Sequence, residues 1–282
     1  PVSGALEIPE KTVLGIPVTA IGYDAFYEQE GITSVEIPDS VIEIGFNAFS
    51  YCTALESVRL PDGLVKIDSC AFAGCESLKE ISLPGNLQEL GSMVFTDCLS
   101  LEGIVIPESV TTIPMCSFRN CTALKEVVLH SNIKAIEMEA FSNTALEKIT
   151  LPEGLIDIYE WAFSDCASLK EVILPDSLET IFSMAFAYTA IEEITIPRNA
   201  KIYSTAFSGM NFGRYSAEPQ INFIFVRPSF FAFSAARTIT FSTFSTAIKL
   251  TSGCLFAISI ANCPLPQPIS ILTGLSLPKI SL

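Results

Sequence analysis

Apolar positions along the first two hundred residues fall in a repeating frame. Leu55, Leu78, Leu101, Leu124, Leu146, Leu169 and Ile191 each open a unit of 22 or 23 residues. Val58, Ile81, Ile104, Val127, Ile149, Val172 and Ile194 follow three residues later, and Leu60, Leu83, Ile106, Leu129, Leu151, Leu174 and Ile196 two after that. The last two columns, with one residue between them, give the alternation of a short half-buried strand. Pro38, Pro61, Pro84, Pro107, Pro152, Pro175 and Pro197 close it, as suits a residue with no N–H to give to a ladder. Turn formers such as Asp62-Gly63 and Asp176-Ser177 come next. A second apolar pair, Leu64/Ile67 or Leu178/Ile181, predicts a second short extended segment on the opposite side of the unit. Phenylalanine then recurs at 26, 49, 72, 95, 118, 141, 163, 186 and 207, mostly after alanine. The stretch around Ala-Phe is expected to form one helical or 3₁₀ turn that drives the ring into the core.

A fixed period of this size defines a solenoid, in which each repeat is one supersecondary unit that buries its faces only against its neighbours. The frame L-x-x-V/I-x-L/I-P-x-x-L/V-x-x-I-x-x-x-A-F-x-x-C resembles the leucine-rich repeat of the BspA-like subclass, common in bacterial and protozoan surface proteins. The resemblance covers roughly residues 5–210 and recurs eight or nine times nearly in register. It implies a right-handed solenoid with a parallel β-sheet on one face and short extended and helical or 3₁₀ turns opposite. It also implies extracellular or cell-surface binding or adhesion, and it carries over no catalytic residue and no cofactor.

Charge narrows the partners. All 31 acidic residues and 12 of the 16 Lys and Arg lie at or before Glu218, so the repeat body is strongly acidic. Nucleic acid is thereby disfavoured, since phosphate neutralisation needs clustered Lys and Arg. Anionic lipid would be repelled as well, and membrane association is left undecided. The apolar residues of the body come as short periodic runs, which is core patterning.

Candidate chemistry is sparse. Cys52, Cys75, Cys98, Cys121 and Cys166 share the column three residues after the Phe. That column resembles the Asn/Cys ladder of leucine-rich repeats, in which a small buried group bonds to backbone. The coils through Asn143-Thr144 and Tyr188-Thr189 lack the Cys and are short, so the missing residue belongs to this turn. Cys70/Cys75 and Cys116/Cys121 have a C-x₄-C spacing within reach of zinc. The two pairs, however, lie two coils or about 10 Å apart, too far for bonds of about 2.3 Å to gather four thiolates. No metal site is therefore expected. His130, the one histidine, takes a slot that proline fills elsewhere and has no recurring nucleophile beside it. Carboxylates are spread by the repeat, and no phosphate-cradling Gly-rich loop is present, so no enzyme is expected. Asn120-Cys121-Thr122 is a formal glycosylation sequon, but its middle residue belongs to the ladder column.

Binding is expected on the exposed face of the strand, where the residues flanking the buried Val/Ile point outward. The column before it includes Glu80, Glu126, Glu171 and Glu193, and the column after it Arg59, Val105, Val128 and Ile173. Exposed apolar residues ringed by acids suit a protein or peptide ligand of basic and apolar character, on a host or another cell surface. The competing reading is that β-branched residues simply suit a strand.

The pattern stops after residue 210, and domain assignment follows it: a solenoid of about nine repeats over 1–210 and a non-repeat hydrophobic tail over 211–282. The tail's last 64 residues contain no Asp or Glu. It is expected to be poorly ordered or an out-of-frame, non-native translation. A cap over the open solenoid end, or a membrane anchor around 238–261, remain alternatives. With Pro1 in place of Met, the chain is expected to be a fragment or processed product, and secretion is neither indicated nor excluded. The leading functional expectation is a non-enzymatic binding or adhesion module. The alternatives are a scaffold fragment of a larger surface enzyme or cell-wall protein, and an intracellular effector-like interaction protein.

Overall fold

The computed structural model describes residues 2–209 and, further on, the backbone of two antiparallel strands, Thr246–Lys249 and Leu255–Ile258, with Thr246 opposite Ile258. The expectations placed on the rest of the tail lie outside the described residues. Residues 2–209 wind into stacked coils, each contributing to three sides.

The first side is a parallel sheet built from the strands the alternation predicts. Ser3–Glu7, Gly31–Glu36, Ser57–Arg59 and Glu80–Ile81 pair in order, then Gly103–Val105 with Glu126–Val128, and Lys148–Thr150 with Glu171–Ile173. The register is in phase, with Val35 beside Val58 and Ile149 beside Val172, so each coil stacks its core residue on the equivalent one. The second side is a column of two-residue parallel strands in two runs, from Ala20–Ile21 through Lys66–Ile67 to Glu89–Leu90 and from Thr112–Ile113 to Lys201–Ile202. This is the second extended segment expected from Leu64/Ile67 and Leu178/Ile181. The two sides are joined by a proline turn, in which the N–H of Leu64 donates to Pro61 C=O and that of Leu178 to Pro175 C=O. His130 does the same work, accepting from Ile133 N–H at 3.2 Å, which explains why the slot tolerates it.

The third side differs from the helical or 3₁₀ turn expected around Ala-Phe: it is turn structure, with no helix among the described residues. The residues two before and two after each Phe from Phe26 to Phe186 take the left-handed backbone conformation, as at Asn47 (φ 55) and Tyr51 (φ 59), or Trp161 (φ 61) and Asp165 (φ 60). A helix cannot propagate through them. Alternation of hand instead turns every second N–H toward the following coil. Asn47, Phe49 and Tyr51 thus donate to Ser69, Ala71 and Ala73 at 3.2, 2.8 and 2.7 Å. These bonds, repeated coil after coil, offset the cost of left-handed non-glycine residues, about 1–2 kcal/mol each.

Inside, the rings of Phe26, Phe49, Phe72, Phe95, Phe118, Phe141, Phe163, Phe186 and Phe207 form one continuous stack, neighbouring centroids 5.1–5.8 Å apart. The seven interior rings are fully buried. The residue before each interior ring is also fully buried and small: alanine at 48, 71, 140, 162 and 185, Val94 and Ser117 in the other two coils.

The cysteine column is a hydrogen-bond ladder. Cys52, Cys75, Cys98 and Cys121 each donate Sγ–H to the Phe carbonyl of the preceding coil at 3.1–3.2 Å, and Cys166 does so to Phe141. The same cysteines accept the N–H of the Leu that opens the strand, as Leu55 to Cys52 and Leu124 to Cys121. The next residue then donates to the preceding coil, as Lys125 to Glu102 at 2.9 Å. In the two short coils Thr144 and Thr189 stand in the column, and each hydroxyl donates to the Phe of its own coil. There, among the described residues, neither the turn bond nor the bond to the preceding coil forms. The strand ladder is open at these two places, between Glu126–Val128 and Lys148–Thr150, and between Glu171–Ile173 and residues 193–195; it is also open between Glu80–Ile81 and Gly103–Val105, although the Cys98 turn bond and the bond from Glu102 to Lys79 form there.

Candidate binding surface

The strand side presents the residues that the alternation points outward. Val58, Ile104, Ile149 and Val172 are buried, while Val105 is 61% exposed, Val128 45% and Ile173 48%. Packing on a pleated strand therefore does not use these three side chains. Val105 and Val128 are direct register partners, so their side chains stand side by side. One position before each buried residue, Gly103 pairs with Glu126 and Lys148 with Glu171, which sets carboxylates along one flank of the apolar row.

Arg59 and Glu80 lie on the same side nearer the first coils. Arg59 is held by Glu36 at 3.4 Å and Asp39 at 3.5 Å, and Glu80 is exposed beside Ser57. Lys148 contacts Glu171 at 3.9 Å. These pairs are solvent-exposed and contribute little to stability. Ile173 and Glu193 flank the last opening in the ladder. There Val172, Ile173, Leu174, Asp176, Glu193 and Ile196 help to line a groove of about 760 Å³. The eight positions therefore form no single cluster: Val105, Val128 and Glu126 make a central patch, Arg59 and Glu80 lie to one side, and Ile173 with Glu193 edges the groove.

Among the described residues, the cysteines of the ladder offer no reactive site. Burial pushes the Cys52 thiol up from 9.0 to about 11, and raises Cys75, Cys98, Cys121 and Cys166 as well. Protonated, backbone-bonded thiols are poor nucleophiles and poor metal ligands. Cys75 and Cys121 are committed to the ladder, which leaves Cys70 and Cys116 without their C-x₄-C partners. Among the described residues no three His, Cys, Asp or Glu side chains are gathered as a metal site would need. His130 Nδ1 accepts from Asn132 N–H at 3.2 Å, in a strand-end turn. Asn120 of the sequon donates its amide to Asp97 at 2.7 Å and accepts from Asn143 at 3.0 Å, so its side chain is part of a ladder. No helix among the described residues is long and apolar enough to cross a membrane.

Sequence reasoning missed a second concave surface on the turn side. Arg119, Asn120, Glu139, Asn143, Trp161 and Asp165 line a trough of about 510 Å³ there. Its signal was the recurrence of Asn and Asp, which tolerate the left-handed conformation, two residues to either side of the Phe.

Stacked coils carrying a leucine-rich strand, a phenylalanine spine and a cysteine ladder define a leucine-rich-repeat solenoid. The pattern of the BspA type leucine rich repeat region matches residues 19–111 and 88–213. The chain belongs to that family. No curated protein matches the sequence significantly. Among solved structures, a leucine-rich repeat protein from Bacteroides ovatus is 33% identical with a TM-score of 0.68, over 71% of this chain and 54% of that one. This chain thus spans about half the length of that relative. A leucine rich cell surface protein from Faecalibacterium prausnitzii (24% identity, TM-score 0.54, 74% of this chain and 79% of that one) shares the fold. So does a leucine-rich repeat protein from Eubacterium ventriosum (22%, 0.55, 76% and 66%). None of the three is named for a catalytic activity.

Proposed function

We propose that the chain is a non-enzymatic binding module of a cell-surface or secreted protein, which holds a protein or peptide ligand of basic and apolar character on its strand side. The observation that carries this reading is the side-by-side exposure of Val105 and Val128 next to Glu126. An apolar pair costs solubility where it is exposed, and a partner that covers it recovers the burial free energy. The surrounding carboxylates would steer a basic partner and reject an acidic one. A scaffold role within a larger surface protein is the second reading, supported by the cell-surface name of the Faecalibacterium relative.

The test is a peptide array graded from acidic to basic, followed by calorimetry on the best binder. Basic, apolar peptides should bind with strong salt dependence. The Val105→Glu/Val128→Glu double variant should lose about tenfold or more in affinity, the equivalent of at least 1.4 kcal/mol. Unchanged affinity would sink the proposal.

A further inference from the structure

We propose that the trough on the turn side, centred on Trp161, is a separate site for a neutral sugar ring. The backbone builds it. Residues two before and two after each Phe form its walls, because the left-handed conformation at both positions throws their side chains outward. Ser142 and Ser164, buried and in contact with each other at 3.0 Å, form its floor. Glu139 and Trp161 stand on one wall and Asn120, Asn143 and Asp165 on the other, while Arg119 joins the lining from the first of the three coils. Three coils at about 4.8 Å each make a trough about 10 Å long, and 510 Å³ lies within the range of small-ligand pockets.

Trp161 is the platform. It is the chain's single tryptophan, 38% exposed, and no aromatic ring stacks on it among the described residues. Tyr159, two residues earlier, is by contrast stacked on Phe182 at 4.8 Å. The Trp161 backbone N–H donates to Ser183 C=O at 3.2 Å and its backbone C=O accepts from Ser164 N–H at 3.0 Å, so the main chain that carries the indole is fixed. A fixed main chain and a side chain with two rotatable bonds keep the ordering cost of binding low.

The polar walls select the ligand. Asn143 spends its NH₂ on Asn120 and keeps Oδ1 as an acceptor, as Asp165 keeps its carboxylate. Arg119 Nε is paired with Glu139 Oε2 at 3.1 Å, which balances its charge, and the guanidinium carries further donors. Asp165 is left as the uncompensated charge, so anions are disfavoured. One indole gives too little apolar surface to anchor a hydrophobic peptide. A sugar ring matches the set: its C–H face lies on the indole, and its hydroxyls donate to Asn143 and Asp165 and accept from Arg119.

The single tryptophan makes the test direct. The full chain is titrated with neutral cello-, manno-, xylo- and chito-oligosaccharides while tryptophan fluorescence is read, and the labelled protein is applied to a glycan array. At least one neutral glycan should give a saturable change in emission. Asp165→Asn and Asn143→Ala should each weaken it about tenfold, the equivalent of about 1.4 kcal/mol, with Trp161 still reporting an unchanged fold. Trp161→Phe should lose binding by calorimetry while circular dichroism is retained. Val105→Glu/Val128→Glu should leave the titration unaltered, so failure of the strand-side reading and failure of this one are distinguishable. No saturable response to any neutral glycan overturns the proposal, as does a response to cationic peptides alone.

Discussion

Truncating one ring of the phenylalanine spine tests whether the array is held by the stack or by its backbone ladders. Phe118 is fully buried between Phe95 at 5.6 Å and Phe141 at 5.3 Å. Phe118→Ala removes about 2.5 kcal/mol of side-chain burial and two ring contacts of about 0.5–1.5 kcal/mol each. The expected loss is thus about 4 kcal/mol, within the 3–5 range for such changes. Phe26 is the control. It is only partly buried, and among the described residues it stacks on Phe49 alone, at 5.1 Å. Halving the burial and keeping one contact gives about 2 kcal/mol for Phe26→Ala. Urea unfolding should be followed in parallel by far-UV circular dichroism and by Trp161 fluorescence. An interior break also uncouples neighbouring coils, so the Phe118 variant should show a lower m-value or two separated transitions. Equal destabilisation of the two variants, or a loss under about 1.5 kcal/mol at Phe118, would refute the reasoning.

Other predictions bear on the turns and the ladder. Ala140 is fully buried beside the spine, so Ala140→Leu should destabilise by about 1–3 kcal/mol in the same assay. Cys52, Cys75, Cys98, Cys121 and Cys166 should resist a thiol reagent in the native protein and react once it is unfolded in urea. Burial raises the Cys52 thiol from 9.0 to about 11, so its contribution to stability is intact below pH 9 and is lost as pH climbs toward 11. The melting temperature should fall across that window, less steeply in Cys52→Ala. Inserting a cysteine between Asn143 and Thr144 should restore the turn bond and the bond to the preceding coil. At about 0.5–1.5 kcal/mol per bond, against about 1–2 kcal/mol to order one more residue, the net gain is near zero. Amide exchange at Glu147 should nonetheless slow, and unchanged exchange would contradict the account of the open ladder.

The strand columns, the proline turns and the spine were legible because each rests on a side chain that can do one thing at its place. Val58 and Leu60 alternate, Pro61 cannot continue a ladder, and Phe72 has nowhere to go but inward. The cysteine ladder was legible for the same reason, through the small buried residue at a fixed offset from the ring. The conformation around Ala-Phe was not. Asn47, Trp161 and Met184 share one left-handed position, and of these only Asn carries a local signal for it. The hydrogen bonds that pay for the other two come from the next coil, out of reach of any local pattern. The Trp161 trough was hidden likewise, since its walls come from three coils and its shape from that alternation of hand. The strand-side residues were legible one by one, but not their grouping, because the register pairs Val105 with Val128 and the open ladder sets Ile173 apart.

That opening bears on how such a surface can change without loss of the fold. The two short coils lose the turn and the ladder bond on the strand side only. At the first of them, the second strand column runs on from Thr112–Ile113 through Ala135–Ile136 to Asp157–Ile158, the Phe118, Phe141 and Phe163 rings stay stacked at 5.3 Å, and Phe141 N–H still reaches Ala162 C=O at 2.8 Å. Three of the four connections between coils are thus indifferent to one missing residue. The strand side is the least essential to cohesion, and it is also where side chains such as Val105, Val128 and Ile173 are least used by the core. Both properties leave that side free to be set by a ligand, whereas the turn side can hold a site only where the left-handed positions already fix its walls.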